Sequence, residues 1–335
     1  LSKKHIAWVE MKTLFVKDIK PGNEVTGFFV LRKKEIREYD GQRFLKLELG
    51  DKTGRIDGVV WENLDQIVDE AQTGEIVKIK GWVTTYRENP QIKVDRLRKA
   101  KEEELDLSDF LPTSDKDPDA LLEEFKKVVD TIKDPYLRRL LELLLEDSPL
   151  IEKLKTTPGG KLWHHAYVGG LLAHTMNVVR ICEKAAGMYQ LVNRDLLIAG
   201  ALVHDMGKIQ TYSAKGYFDY TDEGRMVGHI VAGDEMVDKK IQRIDGFPPN
   251  LSMQLKHLIL SHQGQLEFAS PVVPKTLEAI ILHYADEMDA KADAFAHIIK
   301  TQKTEGKVWS DWVKLINRYI YLGEDEKVQE GESPD

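Results

Sequence analysis

Two regimes of hydrophobic spacing divide the chain. From Val25 to about Arg98 apolar and polar positions alternate at period two, the signature of half-buried strands. Val25–Leu31 is rich in β-formers, and Phe44–Leu49 alternates strictly. Asp51–Gly54 reads as a turn with Arg55–Trp61 as its hairpin partner. Asn63–Ala71 reads as a short helix, and Gly74–Thr85 and Gln91–Leu97 as two further strands. Five strands with one short helix between the third and fourth predict a Greek-key barrel of the OB type.

After Pro118 the spacing changes to three and four. Leu121, Leu122, Phe125, Val128, Val129 and Ile132 share one helical face, as do Leu137, Leu140, Leu141, Leu144 and Leu145. Further helices are expected from Pro158 to Leu322, interrupted by loops near 213–225 and 263–275. Lys101–Pro118 is charged, contains Pro112 and Pro118, and reads as a hinge. The expected architecture is thus an α+β multidomain chain. A five-stranded OB-type barrel spans 12–100, a linker 101–118 and an all-α body 119–323. A polar, frayed tail covers 324–335.

Composition narrows the class. Of 335 residues 42% are hydrophobic and 31% charged, enough apolar material to rule out general disorder. The longest apolar run, Leu196–Val203, is far short of the ~20 residues a membrane span needs, so no membrane association is expected. Residues 1–10 precede Met11, a plausible natural start, and read as a leader or an artefact. A single cysteine, Cys182, excludes a disulfide scaffold or a zinc ribbon and fits a reducing cytoplasm. Net charge is −8; residues 12–100 hold 18 Lys+Arg and 15 Asp+Glu, a net of +3, which leaves −11 for the rest. A slightly basic barrel on an acidic body suits local anion binding beside a cation-gathering site. Spare apolar helix faces leave homo-oligomerisation open.

Histidine placement is the main chemical signal: nine of ten lie after residue 160. His204-Asp205 ends the apolar helix Leu196–Val203, and an aspartate there is costly without a partner. A divalent cation is such a partner, and mixed imidazole and carboxylate ligands suit Mn, Fe, Co, Ni or Zn. His174 lies upstream on a helix with Leu171, Leu172 and Val178, and His229 opens a helix after Gly228. His257 and His262 bracket a short apolar stretch, and Asp286 follows the apolar run from Ala279. The ordered set His174, His204, Asp205, His229, His262 and Asp286 predicts a metal site. His283 and His297 read as hydrogen-bonded core residues, His5 as solvated, and Cys182 as a buried apolar filler. His164 and His165, after Gly159-Gly160, either line a site or cap a helix.

This order resembles the HD-domain phosphohydrolases. The segments His165–Thr175 (HAYVGGLLAHT), Leu196–Lys208 (LLIAGALVHDMGK), Gly228–Ile230 and Leu255–His262 (LKHLILSH), joined to an OB-like barrel, are similar to the YhaM-type 3′→5′ exoribonuclease family. The likeness runs from residue 14 to about 323. It implies a helical HD body and metal-dependent removal of nucleotides from the 3′ ends of single-stranded RNA, with single-stranded DNA a second substrate. It also implies that His174, His204, Asp205 and Asp286 are core ligands and that His229 and His262 serve a second ion. His257 and His165 are weaker candidates. Manganese is the metal expected first, with Fe, Co, Ni, Zn or Mg as alternatives. One departure stands out: Ser261-His262-Gln263-Gly264 has Gln263 where the family is expected to carry a second histidine. That substitution would weaken the second ion or make it lean on His257.

Two ions about 3.5–4 Å apart can generate a nucleophile from water near neutral pH. Asp205 is expected to bridge them and, with a nearby carboxylate as the alternative, to take the water's proton. Lys208, four residues after His204, would share its helix face and reach the scissile phosphate if the helix continues. Tyr212, Tyr217 and Tyr220 are expected to pack within their loop, with stacking on a base as the alternative. On the barrel, single strands are held by basic grooves and aromatic platforms. Arg32, Lys33, Lys34, Arg37, Tyr39, Arg43, Phe44, Trp82, Tyr86 and Arg87 are the candidates, with Trp61 assigned to core packing. Trp82 and Tyr86 share a strand face that suits stacking or core alike. The competing readings are an HD hydrolase of small nucleotides and a non-catalytic single-strand binder. Phosphate-loop, dinucleotide-fingerprint and zinc-protease motifs do not occur in the sequence.

Overall fold

Alternation along the first hundred residues becomes a closed barrel. The computed structural model describes residues 12–324 apart from 63, 114–115, 162–163 and 315. The expectations for residues 1–10, His5, Asn63 and the tail beyond 324 therefore lie outside the described residues. The strands are β1 (Glu24–Tyr39), β2 (Gln42–Asp51), β3 (Gly54–Val60), β4 (Ile76–Tyr86) and β5 (Asn89–Lys99), closed in the order β1-β2-β3-β5-β4. The β3–β5 pair is parallel and the others antiparallel. Helix α1 (Leu64–Glu70) fills the connection between β3 and β4. Leu45, Leu47 and Leu49 point into the barrel with Phe29, Leu31, Ile79 and Ile92, each worth roughly 1.5–3 kcal/mol of apolar burial. β1 is longer than its apolar stretch: the charged run to Tyr39 continues as strand because it pairs with β2 as far as Tyr39–Gln42.

The segment after β5 is strapped down rather than free as a hinge. It forms single 3-10 turns at Glu102–Glu104 and Leu107–Asp109. Arg98 holds Glu104 through two hydrogen bonds. Phe110 joins Phe28, Val30, Ile76 and Ala100 in a small apolar cluster against which Tyr217 of the helical body also packs.

The helical body opens with α2 (Pro118–Asp130), α3 (Pro135–Leu145) and α4 (Ser148–Thr156). Each begins with an aspartate cap, Asp117, Asp134 or Asp147, and a proline in its first turn. Each cap satisfies free helix N–H groups and contributes about 1 kcal/mol. Then follow α5 (Gly170–Met188), α6 (Arg194–Val203), α7 (Lys208–Thr211), α8 (Asp222–Met226), α9 (His229–Ile241), α10 (Pro249–Ser261) and α11 (Leu277–Gln302). α6 is apolar on every side and correspondingly central: Leu196 to Val203 are all buried, packed by α5, α10 and α11. Cys182 is part of that core.

Two stretches depart from the helical expectation. Tyr212–Lys215 and Tyr217–Tyr220 form an antiparallel hairpin, β6–β7, rather than a loop, so the body is not purely helical. The described residues of 303–324 are irregular instead of helical, with bridges Trp309–Tyr321 and Val313–Arg318. Cross-strand ring pairs, Trp309 with Tyr321 and Trp312 with Tyr319, stabilise that arrangement over a helix. Among the described residues no helix is long and apolar enough to cross a membrane.

Candidate metal centre and strand-binding surface

α6 stops where its apolar run stops. Val203 is its last residue, His204 donates its backbone N–H to Gly200, and the chain turns before α7 starts at Lys208. The turn lets Gly207 meet the start of α9; a Cβ at position 207 would collide with the His229 carbonyl oxygen. Asp205 is thereby placed between histidines from four elements.

One carboxylate oxygen of Asp205 faces each way. Oδ2 lies 3.5 Å from His174 Nε2 and 3.5 Å from His204 Nε2, and His174 Nε2 lies 3.1 Å from Asp286 Oδ1 on α11. These four residues each offer a ligand atom within 4.8 Å of the others. Oδ1 lies 3.4 Å from His229 Nε2 and 3.6 Å from His262 Nε2, forming a second group of three.

The imidazoles are pre-oriented. Nδ1 of His204 donates to the Ala201 carbonyl at 2.9 Å and Nδ1 of His262 to the Ile259 carbonyl at 2.7 Å. A carbonyl only accepts, so Nε2 of each neutral ring is left with a lone pair facing the centre. His174 is set the same way by Asp289, whose Oδ2 lies 2.7 Å from its Nδ1. The sequence reading missed Asp289. Its spacing of three from Asp286, on one face of α11, is the signal that would have found it.

Burial works against charge here, and the neighbours decide the outcome. Asp205 is 1% exposed; the Lys208 ammonium and surrounding imidazoles outweigh its desolvation and hold its carboxyl far below the usual range. Burial also opposes the charge of Asp286, but His174 keeps it depressed. His174 is raised to about 9: its desolvation is outweighed by Asp286 and Asp289. His229 is lowered to about 3, mainly by burial.

The donors fit a divalent cation. Among the described residues neither oxygen of Asp205, nor Nε2 of His229, has a hydrogen bond of acceptable geometry, although all three atoms are buried. Of these, Asp205 Oδ1 and His229 Nε2 are costly to bury unless an ion completes them. Lys208 belongs to this arrangement differently from the expectation. With the helix broken, its ammonium folds back to 2.6 Å from Asp205 Oδ2 and donates to the Gly159 carbonyl at 2.6 Å. It is buried and engaged there, not extended toward a phosphate.

The remaining histidines separate clearly. His257 lies outside both ligand groups and accepts a hydrogen bond from the Lys275 N–H. His165 stands behind His174, bonded to Asp289 at 2.7 Å and to the Tyr167 hydroxyl at 2.9 Å. The His164 ring lies 5.5 Å from that of His174; burial, then Lys208, lower it to about 3. His283 is buried and donates to the His262 carbonyl. His297, expected in the core, is exposed on α11.

The ligand-bearing stretch matches the model of the HD domain over residues 171–291, and residues 29–100 match that of the OB-fold nucleic acid binding domain. Proteins named 3′-5′ exoribonuclease YhaM are similar over nearly the whole length. The one from Listeria innocua is 32% identical, covering 89% of this chain and 95% of the relative. Those from Bacillus velezensis and Bacillus subtilis are 33% and 31% identical, covering 90% and 84% of this chain and 95% and 89% of the relatives. The chain belongs to the YhaM 3′-5′ exoribonuclease family.

Within the family frame, Gln263 sits at the edge of the second ligand group, its amide nitrogen 3.3 Å from His262 Nε2. Of the barrel candidates, Tyr39, Trp82 and Tyr86 are exposed, at 72%, 50% and 57%, which places Trp82 and Tyr86 outside the barrel core. Arg43 and Arg87 are also exposed. Phe44 stacks on Trp61 at 4.6 Å, both half-buried on the outer surface, so Trp61 is not the core residue expected. Lys33 lies 3.5 Å from Glu48, and Arg37 is paired with Glu35. Lys34 is spent elsewhere: its ammonium donates to the Val68 and Ala71 carbonyls and closes the end of α1. Arg32 lies against Tyr217, its guanidinium 5.4 Å from the ring centre. Tyr212 and Tyr220 stack on each other across the β6–β7 hairpin.

Proposed function

We propose that this chain is a metal-dependent 3′→5′ exoribonuclease that hydrolyses the terminal phosphodiester of single-stranded RNA and releases 5′-mononucleotides. Single-stranded DNA is a second substrate of the same site. The observation that carries this reading is the pair of ligand groups that share Asp205, in a family whose curated relatives are exoribonucleases.

His174, His204 and Asp286 would hold one ion with Asp205 Oδ2; His229 and His262 would hold a second with Oδ1. Bound divalent ions, manganese first, supply Lewis acidity toward the phosphate and bring the pKa of a bound water to about 7. The protein's own part is orientation. Asp289 and the carbonyls of Ala201 and Ile259 fix the three rings, and Lys208 holds the Asp205 carboxylate ionised and in place. With the Lys208 ammonium 2.6 Å from its Oδ2, Asp205 is placed to serve as a ligand. The barrel's exposed Tyr39, Trp82 and Tyr86 would stack on bases and its arginines contact phosphates, the sequence-tolerant mode of OB folds.

The test is a 5′-labelled, unstructured RNA incubated with Mn²⁺ and, separately, with EDTA. Stepwise shortening from the 3′ end that EDTA abolishes is the expected result. Turnover of free nucleotides without shortening of the RNA would replace this reading with a small-nucleotide hydrolase. Binding without products would leave a strand-binding protein.

A further inference from the structure

Between the barrel and the helical body lies a cleft of about 1010 Å³. Arg32, Glu48 and Arg55 line its barrel side, and Lys161, Tyr217 and Lys300 line the other. A second cleft of about 410 Å³ shares Glu48 and Arg55 with it and runs on to Tyr86 and Arg87 at the β4–β5 turn. The two form one groove. His165 lines the larger cleft, and its ring is 5.4 Å from that of the candidate ligand His174.

The barrel is built to aim Arg32 into this groove. The β1–β2 register passes from Leu31–Leu49 to Lys33–Glu48, leaving Arg32 on a bulge, the device that re-aims a side chain. Gly50 is opposite Val30 on one side and Arg55 on the other. A Cβ at position 50 would lie 2.5 Å from Arg32 Nε, so glycine is what lets the guanidinium lie across β2. Nε is buried and has no hydrogen-bond partner among the described residues. Desolvation and then the charge of Arg55 lower the guanidinium's proton affinity, against Glu48 and Asp51, which raise it.

The groove's own carboxylates do not supply Nε with a partner. Glu48 is shared between Arg55 at 3.3 Å and Lys33 at 3.5 Å. Asp219 is taken by Lys161 and Arg225, Asp57 by Lys46, and Asp293 by the His165 backbone N–H. An anion from outside is the missing partner.

We infer that this groove carries the backbone of the single-stranded substrate, with one internal phosphate seated between Arg32 and Arg55 as the strand passes from the barrel to the helical body. The inference rests on the exoribonuclease reading and adds the strand's path to it. A strand suits the groove better than a free nucleotide. The larger cleft alone reaches the upper end of small-ligand pockets, roughly 300–1,000 Å³, and its continuation ends on the exposed Tyr86–Arg87 pair.

The experiment uses the full chain in EDTA, a 5′-fluorescein 12-nucleotide RNA, and anisotropy at 50 to 200 mM salt. Arg55→Gln, at an exposed side chain, and Arg32→Gln are each expected to weaken binding about tenfold. Each should also lower the slope of log affinity against log salt by about one. Lys127→Gln, on the surface of α2, should leave both unchanged, and melting curves confirm that each variant is folded. Wild-type affinity and slope in both arginine variants would overturn the inference. So would binding of inorganic phosphate or a mononucleotide that depends on Arg55 while the 12-mer's affinity does not. A wild-type chain that gives no 3′ ladder with Mn²⁺, yet loses RNA binding on Arg55→Gln, would refute the activity and not the path.

Discussion

Asp289 Oδ2 lies 2.7 Å from Nδ1 of His174 and 2.7 Å from Nε2 of His165, while its other oxygen accepts from Asn177 at 2.8 Å. One carboxylate outside both ligand groups thus sets the ring that stands at the head of the first. Supporting groups of this kind are typically worth 10–100-fold in metal affinity. Asp289→Asn is expected to lower manganese affinity by about that factor, read by calorimetric titration. Hydrolysis at limiting metal should fall in parallel and recover in excess metal, which a merely structural defect would not do.

Proton release accompanies metal binding. His174 in the metal-free chain is raised to about 9, above the ordinary value near 6.5, because Asp286 and Asp289 favour its charged form. Its folded-state pKa lies above the unfolded one, so its stabilisation of the apo fold is full below about pH 6.5 and lost as pH rises through about 9. An ion needs the unprotonated ring, so affinity should move the opposite way, rising up to about tenfold per pH unit between neutrality and 9. Titrations in buffers of different ionisation enthalpy count the protons released; none released at pH 7.5 would contradict the account.

Asp205→Ala should reduce hydrolysis to background. It also leaves the buried Lys208 ammonium without its carboxylate, a loss of about 3–5 kcal/mol in stability. Asp205→Asn separates the two effects, since it keeps the shape. With it, the rise in melting temperature on adding manganese, worth about 2.7 kcal/mol at a hundredfold excess over Kd, should disappear. A full metal-induced shift in that variant would show that the ions bind elsewhere.

Gly207→Ala tests the packing that brings His229 to Asp205. The added Cβ meets the His229 carbonyl oxygen and the Gly233 N–H, both backbone, so α9 must move. A cost of about 1–3 kcal/mol is expected. The second ligand group should suffer more than the first, seen as a fall in manganese stoichiometry. Retention of the wild-type count would place the weakness elsewhere.

Trp82→Ala and Tyr86→Ala probe the barrel face. Both rings are at least half exposed, so folding should change by no more than about 0.5 kcal/mol. Loss of a stacking partner removes about 1–3 kcal/mol of strand binding. Unchanged affinity for a 12-nucleotide RNA in EDTA would assign these rings no part in capture.

Local patterns made much of this protein legible. Alternation at Phe44–Leu49 and Gly74–Thr85 foretold strands because period two is a property of the backbone itself. The run Leu196–Val203 foretold a central helix because no other place accommodates an element apolar on every side. The order of His174, His204, Asp205, His229, His262 and Asp286 was visible because charged and imidazole groups at the edges of apolar runs require a partner.

What the sequence could not decide was which distant atoms meet. The break after Val203 turns Lys208 onto Asp205, and the packing of α11 against α5 brings Asp289 to His174 across 115 positions. Lys34 and Arg32 are two residues apart in one basic stretch; one closes a helix and the other faces a groove, because the bulge at Arg32 interrupts the alternation that would otherwise put both side chains on one face. Periodicity is local and survives in a one-dimensional string. The direction of a side chain depends on packing among elements far apart in the chain, and only the folded arrangement settles it.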